Sequence, residues 1–292
     1  MRHILYGIQY MLRHHVLGKP GPLICGLTLT NRCNLRCQHC RIPTRGARDL
    51  SWREATQVID SYREQGGRCL YLQGGEPLLW RDGERGMEDI VEYAREVGYL
   101  TVVVYTNGTL PLETSADTLF VSVDGLKETH DALRGKSFAK IIANIQDSLH
   151  PSLYINFTIN SRNKDEVEGF CAYIEGLKQI KGTFFYLHTP YYGQDELCLE
   201  PAEKERILKD LMRYGKRYRL LNSRAGLRSA LKNDWKRPLD ICTVYEKGKT
   251  YECCRFSGDP ELCEKCGYLS YAEIDRALRL HPSAILNALK YF

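Results

Sequence analysis

The sequence contains no apolar run long enough to cross a membrane. Residues 1–17 are interrupted by Arg2, Gln9 and Arg13, which argues against a signal-peptide core or a membrane span at that point. No export signal precedes the first cysteine, Cys25, so the 12 cysteines of this 292-residue chain are expected to be thiols or metal ligands rather than disulfides. The sequence therefore predicts a cytoplasmic protein.

Acidic residues are missing from the start of the chain. Residues 1–48 carry eight Lys or Arg and the first acid is Asp49, although the net charge of the whole chain is only +5. A basic opening can be a solvated face, or it can meet anionic lipid or an anionic cofactor. Since no nucleic-acid module or aromatic-interleaved basic stripe is present, nucleic acid is the least supported partner.

A candidate amphipathic helix occupies this basic opening. One face of it carries apolar residues, namely Ile4, Leu5, Ile8, Met11 and Leu12. Such a helix can cap a barrel, or it can rest on a membrane surface and make the protein peripheral to the membrane.

No glycine-rich phosphate loop or Ser-His-Asp pattern is found. Instead, short β-branched or aromatic runs alternate with stretches of helical period, which is the pattern of repeated βα units. The predicted strands are 23–30, 68–73, 99–105, 118–123, 153–160 and 183–188, and the main predicted helices are 51–65, 87–97, 138–148, 164–179, 202–217 and 223–233. Six parallel strands predict an open, partial (β/α)6 barrel with functional groups after the carboxyl ends of the strands.

Three cysteines follow the first predicted strand within eight positions: Cys33, Cys37 and Cys40. Iron–sulfur clusters are normally held by four thiolates, so three thiolates on a four-iron cluster leave one iron open to a ligand. Zinc is the competing interpretation, but structural zinc needs a fourth ligand and His39 is poorly placed to supply it beside Cys40.

The CxxxCxxC spacing resembles the radical S-adenosylmethionine (SAM) superfamily, and the resemblance extends over about residues 23–188. Gly74, Gly75, Glu76 and Pro77 match the family's GGEP motif, whose backbone binds the methionine amino group. Further loop residues correspond to groups that reach the SAM carboxylate or ribose in similar enzymes: Asn107, Ser122, Asp124 and Asn160. His39 stands where the family usually has an aromatic residue whose backbone approaches adenine.

This resemblance implies a [4Fe–4S] cluster held by Cys33, Cys37 and Cys40, together with SAM. The implied chemistry is reductive cleavage of SAM to a 5′-deoxyadenosyl radical that abstracts hydrogen from a substrate. It also implies a one-electron donor such as flavodoxin or ferredoxin.

A second metal site is predicted near the carboxyl end, where residues 242–266 hold five of the twelve cysteines. The preferred ligands are Cys242, Cys253, Cys263 and Cys266, with Cys254 as the alternative to Cys253. Gly248 stands five positions before Cys253, and the segment resembles the short auxiliary-cluster (twitch, or SPASM-like) extension of some radical SAM enzymes, which implies a second [4Fe–4S] cluster. A four-thiolate zinc site and unligated thiols remain alternatives.

Four segments are expected: an amphipathic helix and linker at 1–22, the core barrel at 23–190, a helical segment at 191–237, and the auxiliary extension at 238–292. The predicted function is oxidative radical modification of a peptide, a protein side chain or a small biosynthetic intermediate. Modification of an isoprenoid or membrane lipid, and a non-catalytic iron–sulfur or zinc protein, are the alternatives. His188 and Tyr191, after the last predicted strand, are candidate catalytic residues.

Overall fold

The computed structural model describes residues 2–16, 18, 21–42, 46, 48–193 and 195–291, without the side chains of residues 2–5, 8, 14, 15, 290 and 291. Most of the predicted apolar face of the first helix, at Ile4, Leu5 and Ile8, lies outside the described side chains. The rest of the chain forms one large sheet with helices against it.

The large sheet has eight strands in the order β10-β9-β1-β2-β5-β6-β7-β8. Its strands are β1 (Ile24–Thr30), β2 (Cys69–Gly74), β5 (Thr101–Thr106), β6 (Thr118–Ser122), β7 (Leu153–Ile159), β8 (Ile180–Leu187), β9 (Cys242–Glu246) and β10 (Lys249–Glu252). A separate two-stranded ribbon joins β3 (Arg81–Asp82) to β4 (Arg85–Gly86). All neighbours in the large sheet pair in parallel except β9 and β10, which form an antiparallel hairpin.

The helices lie between and after the strands. They are α1 (Arg2–His15), α2 (Trp52–Gln65), α3 (Met87–Glu96), α4 (Lys127–Arg134), α5 (Phe138–Asp147), α6 (Val167–Glu175), α7 (Pro201–Tyr214), α8 (Arg224–Lys232), α9 (Pro260–Glu264), α10 (Leu269–Leu278) and α11 (Pro282–Tyr291). Ser51 begins α2 as predicted, because its hydroxyl accepts a hydrogen bond from the Glu54 amide. Ser223 caps α8 in the same way through the Gly226 amide.

Aromatic rings fill the concave face of the sheet. Tyr105 stacks on Phe120 of the neighbouring strand at a ring separation of 5.0 Å, and Phe120 contacts Tyr154 of the next strand at 5.4 Å. The phenol groups of Tyr105 and Tyr186 lie close enough to interact although β5 and β8 are three strands apart. A side-chain contact across that separation requires a strongly curved sheet, which is the inside of a partial barrel.

The six predicted strands and the partial-barrel fold class are therefore confirmed. The elements that were not predicted include helix α4, the β3–β4 ribbon, the short helix α9, and the β9–β10 hairpin that extends the sheet beside β1. The hairpin turns at Lys247 and Gly248, whose φ values are 56° and 80°, the positive values that a tight two-residue hairpin turn needs. The cysteine-rich segment is thus partly strand, while its boundaries as a separate segment stay a prediction.

Helix α1 packs against the amino-terminal side of the barrel. The Tyr6 hydroxyl donates to the Gly66 carbonyl at 2.7 Å, and the Tyr10 hydroxyl donates to the Gly21 carbonyl at 3.0 Å. None of the helices in the described part of the chain has the length and apolar composition that a membrane crossing requires.

Candidate functional site

The three-cysteine loop leaves β1 at the carboxyl-terminal edge of the sheet. Cys33, Cys37 and Cys40 are all partly buried and none is in a disulfide. The Cys40 amide donates to the Cys37 carbonyl at 3.1 Å, which turns the loop back between these two thiols. The Thr30 hydroxyl donates to Asp49 at 2.5 Å, so the loop is closed at its base.

The Gly74-Gly75 turn packs directly on the start of the cysteine loop. The Gly75 amide donates to the Thr30 carbonyl at 2.7 Å and the Glu76 amide donates to the Arg32 carbonyl at 2.8 Å. A Cβ on Gly74 would lie 2.3 Å from the Thr30 oxygen, and one on Gly75 would lie 2.2 Å from the Arg32 oxygen. Glycine is therefore required here by contact with the cysteine loop. Because these amides are already engaged, the carbonyls of the turn are the groups that an ammonium could bind.

Glu76 joins this turn to the loop after β5. Its fully buried carboxylate accepts hydrogen bonds from the Thr106 hydroxyl at 2.8 Å and the Asn107 amide at 2.7 Å. Burial raises the pKa of Glu76 to about 7, against these hydrogen bonds, which lower it. Pro77 follows it as the first residue of a short 3-10 turn, Pro77–Leu79. The side chain of Glu76 is thus a structural tie between two predicted SAM-binding loops.

Asn107 reaches the cysteine loop. Its amide Nδ2 donates to Asn34 Oδ1 at 2.8 Å and lies 3.7 Å from Cys33 Sγ. The Leu35 amide also donates to Cys33 Sγ, at 3.4 Å. Cys33 therefore has two N–H donors aimed at its sulfur.

Asp124 is the buried carboxylate on the opposite side of the loop. It lies 2.5 Å from Arg134 Nε and accepts from the Thr158 amide at 2.7 Å. Arg134 Nη1 in turn lies 3.9 Å from Cys37 Sγ. Burial opposes ionisation of Asp124, but Arg134 outweighs it and holds the pKa of this carboxyl below its usual value. The ion pair is therefore maintained at neutral pH beside the second cysteine.

His39 has one ring nitrogen in this network and one without a partner. Nε2 lies 3.7 Å from Asp124 Oδ2, whereas the buried Nδ1 has no hydrogen-bond partner among the described residues. Burial lowers the pKa of His39 to about 4, and the positive charge of Arg134 adds to the effect. His39 is consequently neutral at pH 7, with a buried nitrogen that a ligand could satisfy.

The other predicted SAM-binding residues differ in how free their side chains are. Ser122 is half-buried, and its hydroxyl accepts from Asn156 Nδ2 at 3.5 Å. The fully buried Asn160 uses its side chain within the chain, donating to the Thr158 carbonyl and accepting from the Arg162 amide. The predicted roles of Ser122, Asp124 and Asn160 toward SAM remain predictions.

Four carboxyl-terminal cysteines meet at one cavity. Cys253, Cys254, Cys263 and Cys266 line it, together with Thr189 and Tyr191 from the chain after β8. Cys242, on β9, is buried behind the cavity; it packs with Cys253 and Tyr271 but does not appear among the described lining residues. Three of the four preferred auxiliary ligands and the alternative, Cys254, are thus brought together.

The two candidate catalytic residues have separate surroundings. His188 Nε2 lies 3.1 Å from each Asp195 carboxylate oxygen. Tyr191 stacks on Phe256 at a ring separation of 4.7 Å and belongs to the cysteine cavity.

Sequence reasoning missed Arg134 and Asn156. Arg134 ends α4, an amphipathic helix that begins two residues after Gly125, and this helical period was the available signal. Asn156 Oδ1 is a buried acceptor without a hydrogen bond among the described residues. The signal was a polar residue in the middle of the predicted strand 153–160, which indicates that this position faces a polar space.

The donor set around the first three cysteines fits a thiolate-bound iron–sulfur cluster. N–H groups approach the sulfurs of Cys33 and Cys37, and hydrogen bonds to sulfur are a normal part of such sites. Burial raises the pKa of Cys37 to about 11, although Arg134 lowers it. Burial therefore favours the neutral Cys37 thiol, and a bound metal would stabilise its thiolate form instead.

Comparison with known proteins agrees with this geometry. The family model described as the Radical SAM superfamily matches residues 27–174. The AdoMet-dependent heme synthase of Methanosarcina barkeri is 32% identical over 203 residues, which are 64% of this chain and 57% of that protein. The sporulation killing factor maturation protein SkfB of Bacillus subtilis is 29% identical over 161 residues, covering 50% of this chain and 38% of that one.

A similar fold is found in Streptococcus suis SuiB, solved with its precursor peptide SuiA. The TM-score is 0.67 at 13% identity, and the match covers 92% of this chain and 69% of SuiB. The chain spans about half the length of the curated relatives that it matches first.

Proposed function

The chain belongs to the radical SAM superfamily, and we propose that it is an enzyme that binds SAM and a [4Fe–4S] cluster and oxidatively modifies a peptide, a protein side chain or a small biosynthetic intermediate. When bound, these cofactors supply a primary carbon radical that can abstract hydrogen from an unactivated carbon. The observation that carries the proposal is a second set of four thiols around one cavity, which Thr189 and Tyr191 of the chain after β8 also line.

Cys33, Cys37 and Cys40 would hold the first cluster, and the Gly74-Gly75 carbonyls would face the SAM ammonium group. Arg134 and the amide of Asn107 would donate to the thiolate sulfurs. The unpartnered Nδ1 of His39 would be satisfied by a polar edge of SAM. These residues bind and orient; they do not change oxidation state.

Cys253, Cys254, Cys263 and Cys266 would hold the second cluster, which would supply an electron acceptor near the substrate. This set replaces Cys242 with Cys254, because Cys254 lines the common cavity. Cys253 has a left-handed backbone, with φ of 61°, and strained non-glycine residues of this kind cluster at functional sites. Its amide donates to the Cys242 carbonyl at 2.6 Å, so Cys242 supports the turn that presents Cys253.

Metal analysis tests the second cluster directly. The protein reconstituted anaerobically should hold about eight iron atoms per chain, and Cys263→Ala should hold about four. The matched control is Cys171→Ala, a buried thiol on α6, which should keep the wild-type content. About four iron atoms plus one zinc in the wild type, with zinc lost in Cys263→Ala, would establish the structural zinc alternative.

Two observations favour the peptide or small-intermediate substrate. SkfB is named as a sporulation killing factor maturation protein and SuiB was solved with a precursor peptide, while the Methanosarcina relative is named as a heme synthase. Anaerobic incubation with candidate precursor peptides and with heme precursors, followed by mass spectrometry, should give a product lacking two hydrogens or carrying a new cross-link. A product only from lipid extracts would overturn this substrate class.

A lipid substrate is the second candidate, supported by α1. Leu12 on this helix and Val16 just after it are 55% and 70% exposed, while Tyr6 and Tyr10 tie the helix to the protein. Exposed apolar residues on a basic helix are typical of membrane-surface binding. Co-pelleting with anionic vesicles, reduced in Leu12→Asp, would support this candidate, and no pelleting by the wild-type chain would remove its basis.

A further inference from the structure

Three potential metal ligands meet just beyond β8, apart from both cysteine clusters. His188 Nε2, an Asp195 carboxylate oxygen and Cys198 Sγ all lie within 4.8 Å of one another. Asp195 Oδ1 is 3.1 Å from the His188 nitrogen and 3.5 Å from the Cys198 sulfur. We propose that these three side chains form a mononuclear zinc site at the mouth of the barrel.

The distances fit a tetrahedral ion. Zinc bonds of about 2.0–2.2 Å to nitrogen and oxygen and about 2.3 Å to sulfur give ligand-to-ligand edges of about 3.4–3.6 Å. The observed separations of 3.1 and 3.5 Å are close to these edges. Both carboxylate oxygens of Asp195 are equally near His188 Nε2, at 3.1 Å, whereas one hydrogen bond needs only one of them. The three ligand atoms of His188, Asp195 and Cys198 therefore lie around a common point.

The ligand types select the metal. A thiol with an imidazole and a single carboxylate suits zinc, whereas magnesium and calcium prefer oxygen ligands alone. Three protein ligands leave one of the four positions of tetrahedral zinc to water or to a donor atom of the substrate, which is the arrangement of catalytic rather than structural zinc sites.

The turn that carries Asp195 and Cys198 is already shaped for this geometry. The Leu197 amide donates to Asp195 Oδ1 at 2.9 Å, and the Cys198 amide donates to the Asp195 carbonyl at 3.2 Å. The Ser161 amide donates to the Leu197 carbonyl at 3.1 Å, which fastens the turn to the end of β7. Ligands held in place before binding lose little conformational freedom when the ion arrives.

The site also adjoins the first cysteine loop. Arg162 donates to Gln38 Oε1 at 2.9 Å and to Glu196 Oε1 at 2.7 Å, so one arginine connects the residue before His39 to the turn that bears the new ligands. A substrate atom bound to zinc here would be positioned beside the radical SAM site.

Zinc K-edge absorption spectroscopy tests the proposal, since it reports zinc alone in a protein that also contains iron. The reconstituted protein, equilibrated with one equivalent of zinc and dialysed, should retain about one zinc per chain with one sulfur at about 2.3 Å and two or three nitrogen or oxygen neighbours at about 2.0–2.2 Å. A shell of four sulfurs would place the zinc in the carboxyl-terminal cysteines and overturn the assignment. Failure to retain zinc would also overturn it.

Variants separate this site from the others. Cys198→Ala and Asp195→Asn should each lower zinc retention at least tenfold while leaving the iron content unchanged. Cys171→Ala, which removes a buried thiol elsewhere, should retain zinc as the wild type does. Equal zinc retention in Cys198→Ala, Asp195→Asn and the wild type would contradict the proposal, whatever the enzyme's activity.

Discussion

At the scale of single residues, Asp124 organises one side of the barrel mouth. It has no exposed surface, and it binds Arg134 and the Thr158 amide while lying near His39. Its backbone amide also donates to His130 Nδ1 at 3.2 Å. A carboxylate with so many partners positions α4 and the cysteine loop relative to β7.

Removing one partner of this buried pair should be costly. Arg134→Gln leaves the Asp124 carboxylate without its counter-charge, and the expected loss is about 3–5 kcal/mol in the free energy of unfolding, measured by anaerobic urea denaturation. The control, Arg213→Gln, changes a side chain that is 65% exposed and should stay within about 0.5 kcal/mol of the wild type.

The double variant Asp124→Asn/Arg134→Gln should lose less than the sum of the two single variants, because neither buried charge is then left alone. If the losses simply add, the two groups do not interact energetically and the positioning role assigned to Asp124 is wrong.

The role of a residue could be predicted where the residue belonged to a sequence motif. It could not be predicted where the role depended on a tertiary contact. The spacing of the three cysteines and the Gly74-Gly75 pair were found from the sequence. Arg134 lies 97 positions from Cys37, and only folding shows that they are neighbours. The family resemblance implies only that the backbone of the glycine pair binds the methionine amino group, whereas the structure shows that the carbonyls of Thr30 and Arg32 occupy the space that a Cβ would need.

At the scale of elements, the turn after β2 and the loop after β1 behave as one unit. Gly74→Ala would place a Cβ 2.3 Å from the Thr30 carbonyl, which belongs to the backbone and cannot move aside cheaply. We expect destabilisation of about 1–3 kcal/mol and loss of about four iron atoms per chain, measured by urea denaturation and iron analysis.

The control for this prediction is Gly7→Ala on α1, where a Cβ would meet no described atom within 4 Å. Alanine there should be neutral or stabilise by about 0.5–1 kcal/mol, since glycine is a poor helix former. Full iron content in Gly74→Ala would show that the two loops are not coupled.

The packing of α8 on α10 gives a pH-dependent prediction. Burial raises the pKa of Glu273 to about 7, although hydrogen bonds from Ser223 lower it. A Cβ on Gly226 would lie 2.1 Å from the Glu273 carboxylate, so the carboxyl group is enclosed between the two helices. The folded protein therefore holds this proton more tightly than the unfolded chain does.

The sign of the effect follows from proton binding. The stability of the wild type relative to Glu273→Gln should be greatest below about pH 4.5, should fall as the pH rises through 7, and should then level off. The total change is on the order of 3 kcal/mol, measured by urea denaturation at successive pH values. The control is Glu261→Gln, an exposed position, which should show no such difference. A pH-independent difference for Glu273→Gln would contradict the burial argument.

Strands were easier to predict than the carboxyl-terminal elements. The six core strands have long apolar runs, which is the sequence pattern typical of buried parallel strands. The strands β9 and β10 are short, and one of them carries Lys249, Thr250 and Glu252, so local sequence gave little indication of pairing. Their place beside β1 depends on a contact more than 200 positions away in the chain.

At the scale of the whole molecule, one curved sheet carries three groups of candidate metal ligands. The loop after β1 carries Cys33, Cys37 and Cys40, the chain after β8 carries His188, and the hairpin beside β1 leads to Cys253 and its neighbours. The parallel strands β1 and β8 end on the same edge of the sheet, so the first cysteine loop and His188 both follow that edge. Strand β10 runs antiparallel, and Cys253 lies beside Cys242 at the start of β9. The fold could be predicted from periodicity, but the position of the carboxyl-terminal cysteines relative to the sheet could not.

The central claim is that the three cysteines after β1 support reductive cleavage of SAM. The direct measurement is 5′-deoxyadenosine, quantified by liquid chromatography after the anaerobically reconstituted protein is reduced and given SAM. Wild-type protein and Cys171→Ala should both produce it, and Cys37→Ala should produce none above the protein-free background. Equal production by Cys37→Ala and wild type would contradict the account.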